Sequence, residues 1–471
     1  MSNPMEKHQT NLAWDTLLDL GNTGSGPMHA RLCQSLRSAV RSGLLPEGAA
    51  LPPSRDMAAS LGCSRWVVTE AYEQLVAEGY LDSRVGSGTR VKRADELATH
   101  DVAVPVGRPP AAGAPIDLAP GLPDLRHFPL SGWLSALRSA ATSLPYPELS
   151  YPDPAGHPGL RAMLASYLAR VRGASIDPAD VTVTGGVTDG VTRICRALRA
   201  RGVEAVAVED PGWGRIRSAA AVAGLATVPI PVDEQGLDAT RVRDYPQVRA
   251  IVVSPAHQFP TGSVLAPARR ADLLEWARRV DGLILEDDYD AEFRYDRRPV
   301  GTMQGTDPLR VALLGSLSKT LSPALGIGWM ATPAWLTAEV RSVEVRPAAP
   351  PLLDQLAFAE FLSSGAYDRH LRAARKRYRV RRDALKAALA TRLPAAHISG
   401  AAAGLHILVH FDHDLDAPAV VERARGLGLQ IASVEAYRVT AASARSGLVL
   451  GYGNLGDGEV DRAVALLASA L

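Results

Sequence analysis

From about residue 116 onward, short continuously apolar runs alternate with helical stretches, and this alternation restricts the fold more than any other feature of the chain. VTVTGG runs into a stretch ending CRALRARG, and AVAVEDPGW runs into IRSAAAVAG. RAIVVSP precedes RRADLLEWARR, and GLILEDDYD is followed by VALLGSLSK. A strand that is apolar on both faces needs cover on both faces, and helical crossovers supply it. The pattern therefore predicts a parallel, two-sided α/β sheet. Near residue 404 the texture changes to GLHILVHF and GLVLGYG with helices between, which predicts a smaller α+β subdomain over roughly 360–471.

At 471 residues the chain is too long for one compact core, and two or three domains are expected. With 46% apolar residues and a net charge of +1 it is neither disordered nor globally basic. Residues 1–26 read as a polar, Gly-rich tail, 27–93 as a small helical domain, and 94–115, ending VPVGRPPAAGAP, as a linker. Residues 116–471 form the large domain. The three cysteines, Cys33, Cys63 and Cys195, are far apart with no CxxC, which argues against a zinc site or disulfide framework. The start MSNPMEKHQT has no apolar core, and no run approaches the ~20 residues that cross a bilayer. A cytoplasmic protein without membrane contact is expected.

In the small domain, Leu32, Leu36, Ala39 and Val40 recur at helical spacing before Gly43. A second helix runs from Ser54 to Gly62 through Met57, Ala58 and Leu61. A third opens after Ser64, suited to an N-cap, and carries Val67, Val68, Ala71, Tyr72 and Leu75 to Gly79. YLDSRVGSGTRV then reads as two strands around Gly86-Ser87-Gly88, flanked by Arg84 and Arg90. A helix pair joined at LGCS matches a helix-turn-helix, whose second helix enters the major groove by its N-terminal end. Arg65 and Thr69 stand there for base edges, Trp66 for sugar or a thymine methyl, and Arg55 for phosphate. Nine Lys/Arg against six Asp/Glu in this domain is a weak charge argument, and an interaction module is the plainer alternative. The run LPPSRDMAASLGCSRWVVTEAYEQLVAEGYLDSRVGSGTRV, however, resembles the winged helix of GntR-family bacterial regulators nearly end to end. That resemblance implies binding to double-stranded operator DNA through Arg55, Ser64, Arg65, Thr69 and the wing at Gly88.

In the large domain, Ser316-Leu317-Ser318-Lys319 follows an apolar strand. A lysine at a buried strand end is costly without a task, and a Schiff base is one, since desolvation lowers the amine pKa. LILEDDYD puts acids at another strand's carboxyl end, where α/β sheets bind ligands and where a carboxylate can pair with the pyridinium nitrogen of pyridoxal phosphate. TGGVTDG opens a helix with free N–H groups suited to phosphate, and Glu209-Asp210-Pro211-Gly212-Trp213 ends a strand with an aromatic able to stack on a flat ring. Each alone has a plainer reading: a surface lysine, an acidic loop or metal site, a Gly-rich turn, a core tryptophan.

Together and in this order these segments resemble a fold-type I aminotransferase domain from about 116 to 471. With the winged helix in front, the chain resembles the MocR/GabR-type subfamily of GntR regulators. YPDPAGHPGLR at 151–161, SPAHQFPTG at 254–262, EDDYDAEFRY at 286–295, SLSKTLSPAL at 316–325, the stretch at 370–385 and GLVLGYGNL at 447–455 also match. The resemblance implies pyridoxal 5'-phosphate as cofactor, with Lys319 as the Schiff-base lysine and sole catalytic residue. Asp287 then holds the ring nitrogen, Tyr289 meets the phenolate oxygen, and Trp213 stacks on the ring. Val187, Thr188, Ser316 and Ser318 meet the phosphate. Arg215 falls where related regulators hold an effector carboxylate, and Arg438 or Arg445 is the second such arginine. The implied function is a transcriptional regulator that senses pyridoxal phosphate or an amino compound by aldimine exchange, assembled as a head-to-tail homodimer. A working aminotransferase carrying a DNA-binding domain is the alternative.

Three positions depart from the family pattern. Phe259 replaces the Asn of Asn-Pro-Thr-Gly, with His257 or Gln258 as substitutes. Val187 replaces a polar residue of the Gly-rich turn. Gly326 stands seven after the lysine, where an arginine normally clamps the phosphate. A looser hold on the cofactor is expected. The basic stretch 369–386 reads as a solvated helix face. His410, Asp412, His413 and Asp414 lack a standard zinc spacing, so no metal is expected.

Overall fold

The computed structural model describes residues 14, 27–84, 88–92, 115–295, 300–342, 349–400, 402–411, 415–440 and 445–471. The rest of the tail, the wing tip at 85–87, the Arg84 side chain, linker residues 94–114, and Asp412, His413 and Asp414 lie outside the described residues. The chain divides into two compact units, Met1–Arg108 and Pro109–Leu471.

The first unit has helices α1 (Met28–Arg41), α2 (Ser54–Ser60) and α3 (Arg65–Ala77), with strands β1 (Ala50–Leu51), β2 (Leu81–Arg84) and β3 (Gly88–Val91). The strands form an antiparallel sheet in the order β1-β3-β2. Leu32 and Leu36 of α1, Met57 of α2, and Val68, Ala71 and Leu75 of α3 meet in one core. Helical spacing placed these side chains on inward faces, so burial follows from the pattern. Leu61 and Val67, also expected inside, are only partly buried against that core. Strand β1 has two residues and left no periodic signal in the sequence.

The second unit opens with β4 (Ile116–Asp117), α4 (Leu130–Ser143) and α5 (Pro158–Arg172). The large sheet follows: β5 (Val181–Thr184), α6 (Val187–Ala200), β6 (Ala205–Asp210), α7 (Gly214–Val222), β7 (Ala226–Asp233), β8 (Gly236–Leu237), β9 (Val248–Val253), α8 (Pro267–Arg279), β10 (Leu283–Asp287), β11 (Val311–Ser316) and β12 (Gly328–Ala331). Its strand order is β5-β12-β11-β10-β9-β6-β7-β8. Strand β6 explains the two-sided cover. Val206 and Val208 pack with Val191 and Ile194 of α6, whereas Ala205 and Ala207 pack with Leu273 and Trp276 of α8. Both faces are apolar, so the strand reads as an unbroken apolar run.

The sheet is mixed, which corrects the expectation of a parallel one. β12 runs antiparallel to both β11 and β5, and β8 is antiparallel to β7. The link from β11 to β12 is short and contains only a 3-10 turn at Pro323–Leu325. A parallel neighbour needs a crossover of a dozen residues or more, usually a helix, and this link carries none.

The chain continues through α9 (Ala334–Arg341), α10 (Leu352–Ser363) and the 27-residue α11 (Ala366–Arg392). It ends in β13 (Ala396–Ser399), β14 (His406–Phe411), α12 (Ala417–Gly426), β15 (Leu429–Gln430), β16 (Ala432–Ser433), β17 (Leu448–Gly451) and α13 (Val460–Ala470). Strands β13, β14, β17 and β16 form an antiparallel sheet, and β15 pairs with β4. The α+β character expected for this end is present. Among the described residues no helix is long and apolar enough to cross a membrane.

Candidate functional site

In the first unit, the turn between α2 and α3 contains Gly62 at φ +61°, a left-handed conformation that costs glycine little. Ser64 caps α3, its Oγ accepting from Val67 N at 3.4 Å. Its hydroxyl thus holds the helix start in place. Arg65 and Trp66 are exposed on the first turn, Trp66 at 63%. Trp66 meets His29 edge-on at 5.9 Å. Arg65 Nε donates to Ser54 Oγ at 3.2 Å, which aims the guanidinium across the helix pair. The Thr69 hydroxyl donates back to Arg65 O at 3.0 Å. Arg55 is exposed on α2, and Gly88 opens β3 at φ +78°.

In the second unit, a cavity of about 460 Å³ opens at the carboxyl ends of β5, β6, β10 and β11. Ten residues singled out in the sequence line it: Val187, Thr188, Glu209, Trp213, Arg215, Asp287, Tyr289, Ser316, Ser318 and Lys319. Strand ends bring them together. Asp287 is the last residue of β10 and Ser316 the last of β11, with Lys319 in the turn that follows. Gly185 and Gly186 lead into α6, whose first N–H groups lack intrahelical partners. Glycine is required under that turn, because a Cβ on Gly328 would lie 2.6 Å from Gly186 Cα.

Lys319 Nζ donates to Gly121 O at 2.6 Å and lies 6.0 Å from the centre of the Trp213 ring. Burial lowers its pKa, Asp290 and Asp287 oppose that, and Arg215 adds to it. Asp287 is pushed up to about 8 by burial, reinforced by Glu209, Asp288 and Asp290 and opposed by Lys319. Its Oδ1 is buried without a hydrogen-bond partner among the described residues. A lone buried acceptor among acids calls for a cationic N–H donor. Glu209 is pushed up to about 7 by burial, against hydrogen bonds from Ser254 and Gln258. Tyr289 Oη lies 3.1 Å from His257 Nδ1, which is 2.9 Å from Asp290 Oδ2. His257, Asp290 and His406 present ligand-type atoms within 4.8 Å of one another.

Residues 115–442 match the aminotransferase class I and II family, and residues 29–91 match the gntR family of bacterial regulatory proteins. The chain is 32% identical to the probable rhizopine catabolism regulatory protein MocR of Rhizobium meliloti, over 96% of both chains. It is 31% identical to the pyridoxine biosynthesis transcriptional regulator PdxR of Corynebacterium glutamicum, over 90% of this chain and 91% of that one. Among solved structures, an archaeal alanine:glyoxylate aminotransferase superposes with a TM-score of 0.68 at 23% identity, over 75% of this chain and 90% of that one. The multiple substrate aminotransferase of Thermococcus profundus does so at 0.68 and 23%, over 76% and 92%.

The chain belongs to the MocR-type regulators of the GntR family.

Against that family's pattern, this MocR-type chain places several residues differently from expectation. Arg438 does not line the cavity. Its Nη2 donates to Arg445 O at 2.7 Å, and Nη1 lies 3.8 Å from Glu435. The preceding Tyr437 faces the cavity from the end of a 3-10 turn, and the chain leaves that turn extended at Arg438, which sends the next side chain the other way. Arg445 is exposed and does not line the cavity either. The second arginine in the cavity is Arg217, four after Trp213, whose Nη1 donates to Gly212 O at 3.2 Å. Its i+2 spacing from Arg215 was available in the sequence. Gln258, offered as a substitute for the missing Asn, does not line the cavity; its Nε2 donates to Glu209 Oε2, Pro211 O and Phe259 O. Gly326 sits at φ +58°, ψ +31°, after the 3-10 turn, with open space where a Cβ would point. His410 Nδ1 is 3.0 Å from Ser446 O.

Proposed function

We propose that this regulator binds operator DNA through residues 27–93 and holds pyridoxal phosphate in the cavity of residues 116–471, with 94–115 as the linker between them. In this reading it acts in the cytoplasm and as a head-to-tail homodimer. The observation that carries the cofactor assignment is that Lys319 lines one cavity with Asp287, whose Oδ1 has no hydrogen-bond partner among the described residues. A protonated pyridine nitrogen is the donor that Asp287 Oδ1 lacks. The N–H groups at the start of α6 and the hydroxyls of Thr188, Ser316 and Ser318 suit the phosphate. Trp213 suits a ring face and Tyr289 a phenolate oxygen. Arg215 and Arg217 leave the cavity cationic on the side where an effector carboxylate would sit. When bound, pyridoxal phosphate supplies a carbonyl that condenses with amines and a ring that withdraws electrons. Burial shifts Lys319 toward the neutral amine that exchange requires. The sensed compound is the cofactor itself or a small amino compound that displaces Lys319.

The test uses borohydride reduction of the purified protein followed by peptide mapping. The chain has five lysines, and among the described residues only Lys319 lines the cavity. The reduced cofactor is expected on Lys319 alone, and Lys319→Ala is expected to lose both the label and the visible absorbance. Label on another lysine, or a Lys319→Ala protein that stays yellow, overturns the assignment.

A further inference from the structure

A second cavity of about 400 Å³ lies among the end of α5, the loop after β10 and the start of α11. Five arginines line it: Arg170, Arg172, Arg294, Arg372 and Arg375. Among the described residues the acids lining it are Glu292 and Asp368. None of the residues proposed to hold cofactor, effector or DNA is among them.

The arginines are not equivalent. Arg172 is spent internally, paired through two nitrogens at 2.8 Å with buried Asp288 and donating to Val300 O. Arg170 pairs with Asp368 at 2.9 Å, and its guanidinium lies over the Tyr167 ring at 5.6 Å. Arg375 donates through Nε to Glu292 O at 2.9 Å, which fixes the plane of the guanidinium and leaves both Nη atoms without a partner among the described residues. Arg372, one helical turn earlier, is exposed and makes no hydrogen bond or ion pair among the described residues. Two guanidinium ends at i and i+3 on α11 therefore share a concave site with more cationic than anionic groups.

Like charges crowded into a recess repel, and an anion relieves that repulsion. That all five cations are arginines matters, because the planar fork bonds two oxygens of a phosphate or carboxylate at once. The lining also includes apolar surface, from Val171, Leu371 and the Tyr167 ring. A cavity of this size holds an organic group beside the anion. We propose that this cavity is a second ligand site, taking a small phosphorylated metabolite whose phosphate is held by Arg372 and Arg375.

Isothermal titration of the full-length, pyridoxal phosphate-saturated protein tests this, since a filled first cavity cannot compete for the probe. Glycerol 3-phosphate is the probe, with inorganic phosphate and succinate as separate arms at constant ionic strength. One site per chain is expected, with glycerol 3-phosphate bound more tightly than inorganic phosphate, and that more tightly than succinate. Arg372→Glu changes an exposed side chain that makes no hydrogen bond or ion pair among the described residues, so the fold is expected to be retained. It is expected to weaken glycerol 3-phosphate binding at least tenfold while the cofactor spectrum stays unchanged. Arg375→Lys keeps the charge, loses the fork, and is expected to weaken it severalfold. Equal affinities in wild type and Arg372→Glu overturn the site, as does heat that vanishes with 0.2 M added chloride. Loss of operator binding by Arg372→Glu without any phosphate binding by the wild type also overturns it, and would assign this face to DNA.

Discussion

Asp287 states the energetic problem of the Lys319 cavity in one side chain. Its carboxyl is pushed from an ordinary 3.8 up to about 8, and Glu209 beside it moves up to about 7. Between the unfolded and folded values the folded chain binds more protons than the unfolded one, so stability falls as pH rises through that window. Ligand-free protein is expected to melt at progressively lower temperature from about pH 4 to about pH 8. Asp287→Asn removes the largest share. It should raise the melting point at pH 8, by on the order of 1–3 kcal/mol in stability, and change it little at pH 4. Saturating cofactor should reverse the ranking, because only the carboxylate pairs with a pyridinium. Melting curves of both proteins at the two pH values, with and without cofactor, check this. Gly326 poses the converse problem. An arginine there gains about 1.5–3 kcal/mol from a buried charged hydrogen bond. It also costs about 1–2 kcal/mol for a left-handed non-glycine residue at φ +58°. That strain is present with and without ligand, so Gly326→Arg is expected to lower the ligand-free melting point and to tighten cofactor binding by about 10- to 150-fold. Identical titration curves, with wild type already saturated at trace cofactor, would mean another group holds the phosphate.

At the scale of elements, legibility in the sequence followed locality. The α3 start was readable because a cap and its helix are neighbours: Ser64 and Val67 are three residues apart. Ser64→Ala is expected to cost about 1 kcal/mol of first-unit stability and weaken all DNA alike. Arg65→Ala should instead cost about 1–3 kcal/mol at the operator and much less on unrelated DNA, if Arg65 reads a guanine. Binding curves on operator and scrambled duplexes separate the two. The strand-end residues Asp287, Ser316 and Lys319 were readable for the same reason, since each closes an apolar run. The direction of β12 was not, because it depends on what a short link allows rather than on the strand's own residues. That His406 joins Glu209 and Asp290 at one cavity was not readable either, since it comes from the separate C-terminal sheet. Those positions are far apart in sequence and meet only in the folded chain. Arg438 and Arg445 were offered because the resemblance implies a second C-terminal arginine, but one extended residue after a 3-10 turn turns the Arg438 side chain from the cavity, and spacing alone does not reveal that.

For the whole molecule, the two units were legible as separate domains because their periodicities differ and a Pro/Gly/Ala stretch parts them. How a ligand in one changes DNA binding by the other is a question of free energy. If a sensed amine changes operator affinity by some factor, the operator must change amine affinity by the same factor, because both paths reach the same ternary complex. An amine that binds equally well with and without DNA shifts nothing, however tightly it binds. A regulator built on this coupling is expected to show a factor of about 5–150, or 1–3 kcal/mol. Full-length protein titrated with amine followed by spectrum, with and without saturating operator, gives one factor. Operator titrations with and without saturating amine give the other. The two are expected to agree, and Lys319→Ala is expected to bring both to one. A Lys319→Ala protein that still answers the amine would place the sensing outside the cofactor cavity. Factors of one in the wild type, alongside normal operator binding and sustained release of a keto product, would make the second unit an enzyme that DNA binding does not consult.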